Sequence, residues 1–351
     1  MKTIFDNPKH VFIIAEAGSN WKSNSRKKDL MKAKKLIDVA AECGANAVKF
    51  QTYSSESVYI PNAGKSKYLT KSGIKKSINE IFKEFSMPHE MLKQLQNYCH
   101  KKKILFMSTP FSIKDAKAVD PYVEIHKIAS YELNHVPLLK YVAKTKKPVL
   151  ISTGASNIDE VDFALSVLKK YGAKKIGIMQ CTAKYPAPIN SLNLSVIPML
   201  KLRYRLPVGL SDHSIDPVLA PLIAYGSGAT IIEKHFTLNK NDNGPDHFFA
   251  LNPTELRTMV SSIRYAEKTY GSGEKTILPE EKELRKFAVR AIHAIKNIEK
   301  GEILKSGVNF DILRPGNKQR GADARFLDKI HGKISKKSFK IGEGILAKDC
   351  V

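Results

Sequence analysis

Two consecutive apolar runs in this chain end in a histidine with a carboxylate beside it. Ala229–Leu238 reads Ala-Thr-Ile-Ile-Glu-Lys-His-Phe-Thr-Leu, with branched apolar residues first and ionisable ones where a strand would stop. On an extended chain Glu233, His235 and Thr237 point to one side. Pro207–His213 repeats the plan and ends Ser211-Asp212-His213. Neutral imidazoles at neighbouring strand ends suit a divalent metal, which would polarise a carbonyl as a Lewis acid. A lone histidine would more often be a hydrogen-bonded packing residue. Two at corresponding exits, beside Asp212 and Glu233, favour the ligand reading.

Such residues meet only if a repeated element delivers them to one end of the fold. Val11–Ala17 reads as a strand buried on both faces, and Leu30, Ala33, Ile37, Val39 and Ala40 space a helix that stops before Gly44. Further strands are expected at Ala47–Tyr53, Ile104–Thr109, Val123–Ala129, Pro148–Ser152, Ile176–Cys181, Val208–Asp212 and Thr230–His235. About eight β/α units in roughly 260 residues is the arithmetic of a (β/α)8 TIM barrel, so the expected fold class is α/β. Residues 54–86, Lys-rich and poorly periodic, read as an insertion over one end. The barrel is expected to span residues 1–270, with a linker at 271–287 and a small mainly β domain at 288–351. Its apolar pieces are Ala291–Ile295, Gly301–Leu304, Phe310–Leu313 and Ile341–Leu346.

The chain has 351 residues and a formal net charge of +24. No run approaches the roughly 18 apolar residues of a membrane span. The four cysteines lack metal-ligand spacing, so free thiols in a cytoplasmic protein are expected. Lysine pairs recur along the whole chain without an aromatic-interleaved stripe. That pattern describes solvated helix faces, with a nucleic-acid footprint as the small remainder, and as between nucleic acid and an anionic substrate it argues for the substrate.

Barrel enzymes build their sites at the C-terminal strand ends. In order, the exits carry Glu16; Lys49 and Gln51; Ser108 and Thr109; Lys127 and Ser130; Ser152 and Thr153; Gln180, Cys181 and Thr182, then Tyr185; Asp212 and His213; Glu233 and His235. Lysines and hydroxyls converging in a barrel mouth fit a phosphate or carboxylate ligand. Lys49 and Lys127 would equally serve as Schiff-base lysines of an aldolase, and spacing does not separate the two roles.

Ile14-Ala-Glu-Ala-Gly-Ser-Asn20, Val48-Lys-Phe-Gln-Thr52, Ser108-Thr-Pro-Phe111, Lys127-Ile-Ala-Ser130, Ile151-Ser-Thr-Gly154, Cys181–Pro186, Gly209-Leu-Ser-Asp-His213, Glu233-Lys-His-Phe-Thr237 and Gly244-Pro-Asp-His247 together resemble, in this order, the motifs of the sialic acid synthase family. Arg314-Pro-Gly-Asn317 lies in a tail that resembles that family's antifreeze-like (SAF) domain. The resemblance covers nearly the whole chain.

What it implies is a transferase that condenses phosphoenolpyruvate with the open-chain aldehyde of an N-acylated mannosamine-type sugar, giving a nonulosonic acid and phosphate. By that resemblance His213 and His235 hold Mn²⁺ or Mg²⁺. Lys49, Lys127, Ser130 and Ser152 bind phosphoenolpyruvate, helped by Thr109 and Asn62. Glu16 and Glu233 position water or move a proton, and Gln51, Tyr185 and Asp246 hold sugar hydroxyls. Arg314 reaches the partner's site in a domain-swapped homodimer. One departure stands out: where the family has Asn-His-x-Gly, this chain reads Asn20-Trp21-Lys22-Ser23. That places its only tryptophan, by expectation, at the lip of the first loop. Lys234, facing away from Glu233 and His235, is expected to be structural.

Overall fold

A computed structural model describes residues 4–5, 10–65 and 75–351 of the chain. It divides into two compact units, Met1–Gly271 and Ser272–Val351. The first holds β1 (Phe12–Gly18), β2 (Ala47–Thr52), β3 (Leu105–Pro110), β4 (His126–Ile128), β5 (Val149–Ser152), β6 (Ile176–Cys181), β7 (Val208–Asp212) and β8 (Ile231–His235). They form one eight-stranded sheet in the order β3-β2-β1-β8-β7-β6-β5-β4. Every ladder in it is parallel, and β1 pairs with both β2 and β8. β3 and β4 lie side by side at the seam without a ladder among the described residues, which completes the TIM barrel.

The strands are apolar on both faces because both faces are covered. Phe12, Ile14, Ala47, Leu105, Met107, Leu150, Met179 and Ile231 pack inside the barrel. Ile13, Ala15, Val48, Phe50, Phe106, Ile151, Ile178, Leu210 and Ile232 point outward to the helices. Alternation then fixes the barrel mouth: Glu16 continues the face of Ile14, Lys49 that of Ala47, and Glu233 that of Ile231. Register does the rest. Glu16 lies opposite Lys49 on one neighbour and opposite His235 on the other.

The helices follow the expected β/α order, from Arg26–Glu42 after β1 to Pro253–Thr269 after β8. The described part of the expected insertion contains two short helices, Ser55–Val58 and Ile78–Glu84; residues 66–74 of it lie outside the described residues. Within 271–287, read as a linker, Lys282–Ala288 begins a helix. In the second unit β9 (Ala291–Ala294) pairs antiparallel with β10 (Phe310–Leu313). The other two expected apolar pieces join by single bridges only, Ile303 to Ile334 and His293 to Gly344. Ile292, Ile298, Leu304, Phe310, Ile330, Phe339 and Ile345 form this unit's own core. Among the described residues no helix is long and apolar enough to cross a membrane.

Candidate active site

At the C-terminal ends of the strands the inward side chains enclose a small polar cleft. It is lined by Glu16, Lys49, Gln51, Thr109, Lys127, Ser130, Ser152, Tyr185, Ser211, His213, Glu233 and His235. Eleven of the fourteen residues singled out in the sequence therefore meet here. Asp246 joins them along a wider cavity shared with Gln51, Ser130, Tyr185 and His235. Asn62 lines neither; it is exposed, in a left-handed backbone conformation with φ 57°. Arg314 belongs to the second unit, directly after β10.

Lys49 Nζ lies 2.6 Å from Glu16 Oε2 and 3.5 Å from Glu233 Oε1, and donates to Thr109 Oγ1 at 3.0 Å. Lys127 Nζ lies 3.4 Å from the same Glu233 oxygen and donates to Ser152 Oγ at 2.7 Å. Gln51 Nε2 holds the second Glu16 oxygen at 2.9 Å, and Ser211 Oγ donates to Glu233 at 3.3 Å. All of these groups are buried except Gln51, which is half-buried. Burial alone would neutralise the acids, and it raises Glu16 to about 7, with Lys49 opposing and the Glu233 charge assisting. Burial pulls Glu233 upward too, but Lys127 and Lys49 outweigh it and hold its carboxyl at about 2. Two acids beside one lysine pair, Glu16 raised by its burial and Glu233 lowered by the lysines, are the arrangement from which proton donors and anionic stabilisers are made.

The histidine rings lie 5.5 Å apart, centre to centre. His213 Nδ1 sits 2.9 Å from the Thr182 carbonyl, so it must donate there. In the neutral ring this puts the lone pair on Nε2. His235 Nδ1 is buried without a hydrogen-bond partner among the described residues. Burial, and after it the neighbouring His213, drives His235 well below the ordinary imidazole range. An orphaned nitrogen on a neutral ring is the state a metal ligand requires. The two imidazoles thus fit a divalent cation whose other positions are filled by water or substrate. No group of three or more His, Cys, Asp or Glu with metal-site geometry occurs among the described residues.

The first loop closes over this corner. Gly18 has φ +50°, and a Cβ there would stand 2.7 Å from Asp246 Oδ2 and 3.4 Å from the His235 ring. Asp246 accepts from Ser19 N and Ser19 Oγ at 3.2 and 2.8 Å. Beyond it His247 Nδ1 meets Thr237 Oγ1 at 2.6 Å, so Thr237 anchors the Asp246 loop instead of extending the row of Glu233 and His235. β8 has already ended at His235. Trp21 is 1% exposed and packs into the barrel–helix core, away from the loop lip where the sequence placed it. Its large apolar surface prefers that burial to solvent.

Two further exits face outward. Gln180 donates to the Leu192 carbonyl at 3.1 Å, and Asp212 turns to Lys234 on the helix side. Ser211 of the cleft and one acid of the wider cavity are absent from the sequence-derived set. Glu132, two positions beyond Ser130, lines the wider cavity with a buried oxygen that has no partner among the described residues. Its acidic type next to the Lys127-Ile-Ala-Ser130 motif was the available signal.

Comparison with known proteins agrees with this geometry. The NeuB family model matches residues 36–275. The chain is 42% identical over 335 residues to the spore coat polysaccharide biosynthesis protein SpsE of Bacillus subtilis, covering 91% of this chain and 87% of that protein. It is 38% identical over 339 residues to the N,N'-diacetyllegionaminic acid synthase of Campylobacter jejuni, covering 95% and 98%. Among solved structures, the N-acetylneuraminic acid (sialic acid) synthetase of Leptospira borgpetersenii superposes with a TM-score of 0.69 at 34% identity, covering 79% of this chain and 90% of that one. The chain belongs to the NeuB family of sialic acid synthases.

Proposed function

We propose that this protein condenses phosphoenolpyruvate with the open-chain aldehyde of an N-acylated mannosamine-type sugar, releasing phosphate and a nonulosonic acid. The names of its relatives support the reaction class. The observation that carries it here is the pairing of Lys49 and Lys127 across Glu233, with Thr109 and Ser152 on their ammonium groups, in one cleft with His213 and with His235, whose buried Nδ1 has no partner among the described residues.

Lys49, Lys127, Ser130, Ser152 and Thr109 bind the phosphate and carboxylate oxygens of phosphoenolpyruvate by charge-assisted bonds. Gln51, Tyr185 and Asp246 hold the sugar. Mn²⁺ or Mg²⁺ held by His213 and His235 would supply Lewis-acid polarisation of the aldehyde. The enol carbon then bonds to the aldehyde carbon, whose oxygen takes up a proton. Water adds to the cationic carbon left behind, and phosphate departs with its bridging oxygen. Glu16 and Glu233 orient that water and move its proton, while Glu233 keeps the two lysines charged and in place. Arg314 of a second copy completes the N-acyl contact in a domain-swapped homodimer.

Incubation with phosphoenolpyruvate, Mn²⁺ and N-acylated hexosamines should release phosphate and yield a nonulosonic acid by mass spectrometry, and chelation should stop it. A Schiff-base aldolase on the same barrel would instead survive chelation and be trapped by borohydride with a keto acid at Lys49 or Lys127. That pair of results would overturn the proposal.

A further inference from the structure

Where the family motif has Asn-His-x-Gly, the residues Asn20-Trp21-Lys22-Ser23 fasten the first loop one by one. Asn20 Nδ2 donates to the Phe236 carbonyl at 2.8 Å. Trp21 packs into the core, and the Lys22 ammonium stands 5.5 Å from the centre of its ring. The same ammonium lies 2.8 Å from Asp29 Oδ2, and Ser23 N donates to Asp29 Oδ1 at 2.6 Å. Asp29 is buried in the first turn of the helix Arg26–Glu42, where the helix dipole favours a carboxylate.

Lys32 follows on the same helix, three residues on and on the same face as Asp29. Its ammonium donates to the Lys22 carbonyl at 3.2 Å and pairs with Asp242 Oδ2 at 2.8 Å. Asp242 belongs to the loop after β8, four residues before Asp246. Lys32 therefore spans the first loop and the eighth. The two loops meet again at the site itself, where Ser19 N and Ser19 Oγ both donate to Asp246 Oδ2. The eighth loop is further tied by Thr237 on His247, and by Lys240, 2.6 Å from Glu255 on the next helix.

We infer that Lys32 is a positioning residue for the sugar side of the site: by joining the first and eighth loops it keeps Ser19 on Asp246 and holds that carboxylate in place before any sugar arrives. The inference rests on the reaction proposed above and concerns how its acceptor is held. Lys32 lines neither the cleft nor the wider cavity, so it acts through Asp246. A binding group fixed in advance loses little freedom when the ligand arrives, and that gain appears in KM. The phosphoenolpyruvate side supplies the contrast, because Lys49, Lys127, Ser130 and Ser152 come from β2, β4 with its exit, and β5, outside the two loops that Lys32 joins.

The test is Lys32→Met, which keeps the apolar stem of the side chain and removes its ammonium. Kinetics use whichever of N-acetylmannosamine, N-acetylmannosamine 6-phosphate and a 2,4-diacetamido-2,4,6-trideoxyhexose releases phosphate fastest with the parent enzyme. KM for that sugar should rise at least fivefold, with kcat and KM for phosphoenolpyruvate within about twofold of the parent. Lys32→Arg, which retains the charge, should bring KM for the sugar back to within about twofold. Asp242→Asn, at a half-exposed residue with little risk to the fold, should reproduce the rise. Combined with Lys32→Met it should add no more than about twofold, because both remove one link. Trp21, the chain's only tryptophan, reports on the first loop without turnover. Acrylamide should quench it at least twofold more strongly in Lys32→Met than in the parent. A smaller rise in KM for the sugar, equal rises in both KM values, or unchanged quenching would overturn the inference and leave the reaction standing. No phosphate from any of the three sugars with the parent enzyme would remove the proposed reaction and this inference together.

Discussion

Lys234 and Asp212 form a buried ion pair on the outer face of the barrel, 2.5 Å apart and 1% and 0% exposed, joining the two strands that carry His213 and His235. The ammonium also donates to the Ser214 carbonyl at 2.7 Å and to Ser214 Oγ at 3.1 Å. The residues on either side of Asp212 and of Lys234 point into the cleft, so the pair ties the site from behind without touching it.

Breaking a buried pair strands the remaining charge, at a cost of about 3–5 kcal/mol. Lys234→Met should therefore lower stability by about that much in urea unfolding. Lys234→Met combined with Asp212→Leu should recover a large part of the loss, because it removes the stranded charge. A Lys234→Met enzyme with parental stability would show the pair to be idle.

Glu132 supplies a pH dependence with a defined sign. Burial raises its carboxyl from 4.5 to about 7, with Lys127 opposing. The folded state thus holds the proton more tightly than the unfolded chain. The resulting stabilisation is complete below the ordinary value, and it is lost as pH rises through about 7. Glu132→Gln, neutral at every pH, should match the parent near pH 5 and exceed it near pH 8 by up to about 3 kcal/mol. Urea unfolding of the ligand-free protein at the two pH values checks this; a parallel offset at both would refute it.

Gly18 is required by both its backbone and its surroundings. Alanine there meets a left-handed φ of +50° and places a Cβ 2.7 Å from Asp246 Oδ2. Gly18→Ala should cost about 1–2 kcal/mol in stability. It should also raise KM for the sugar at least tenfold as Asp246 is displaced, with KM for phosphoenolpyruvate within about twofold of the parent. Equal rises in both would mean that the loop shapes the whole mouth and not the sugar side alone.

The barrel was legible because each strand announces itself twice, by a short apolar run and by an ionisable residue where the run stops. Period-two alternation then told which exit residues share the cleft, and Glu233, His235, Lys49 and Gln51 followed from it. The same rule assigned Lys234 to the opposite face. It failed at Thr237, since the alternation argument assumes a strand and β8 ends at His235. Asp212 and Gln180 were grouped with the cleft because polarity at an exit does not reveal which face is inward. Trp21 was misplaced for a related reason: a loop residue has no period, and its burial depends on the helices packed around it. The Lys32 link was illegible because Lys22, Lys32 and Asp242 come from separate segments whose meeting no local pattern encodes.

Along β7 and β8 two kinds of information are written on alternate letters. Ser211, His213, Glu233 and His235 carry the chemistry, while Asp212 and Lys234, between them, carry the bond that holds the letters in line. A saturation survey of these positions should separate into two interleaved phenotypes, catalytic defects at normal abundance on one parity and loss of soluble protein on the other. A single-residue deletion in either strand would exchange the two texts, moving Asp212 or Lys234 into the cleft and a histidine into the core.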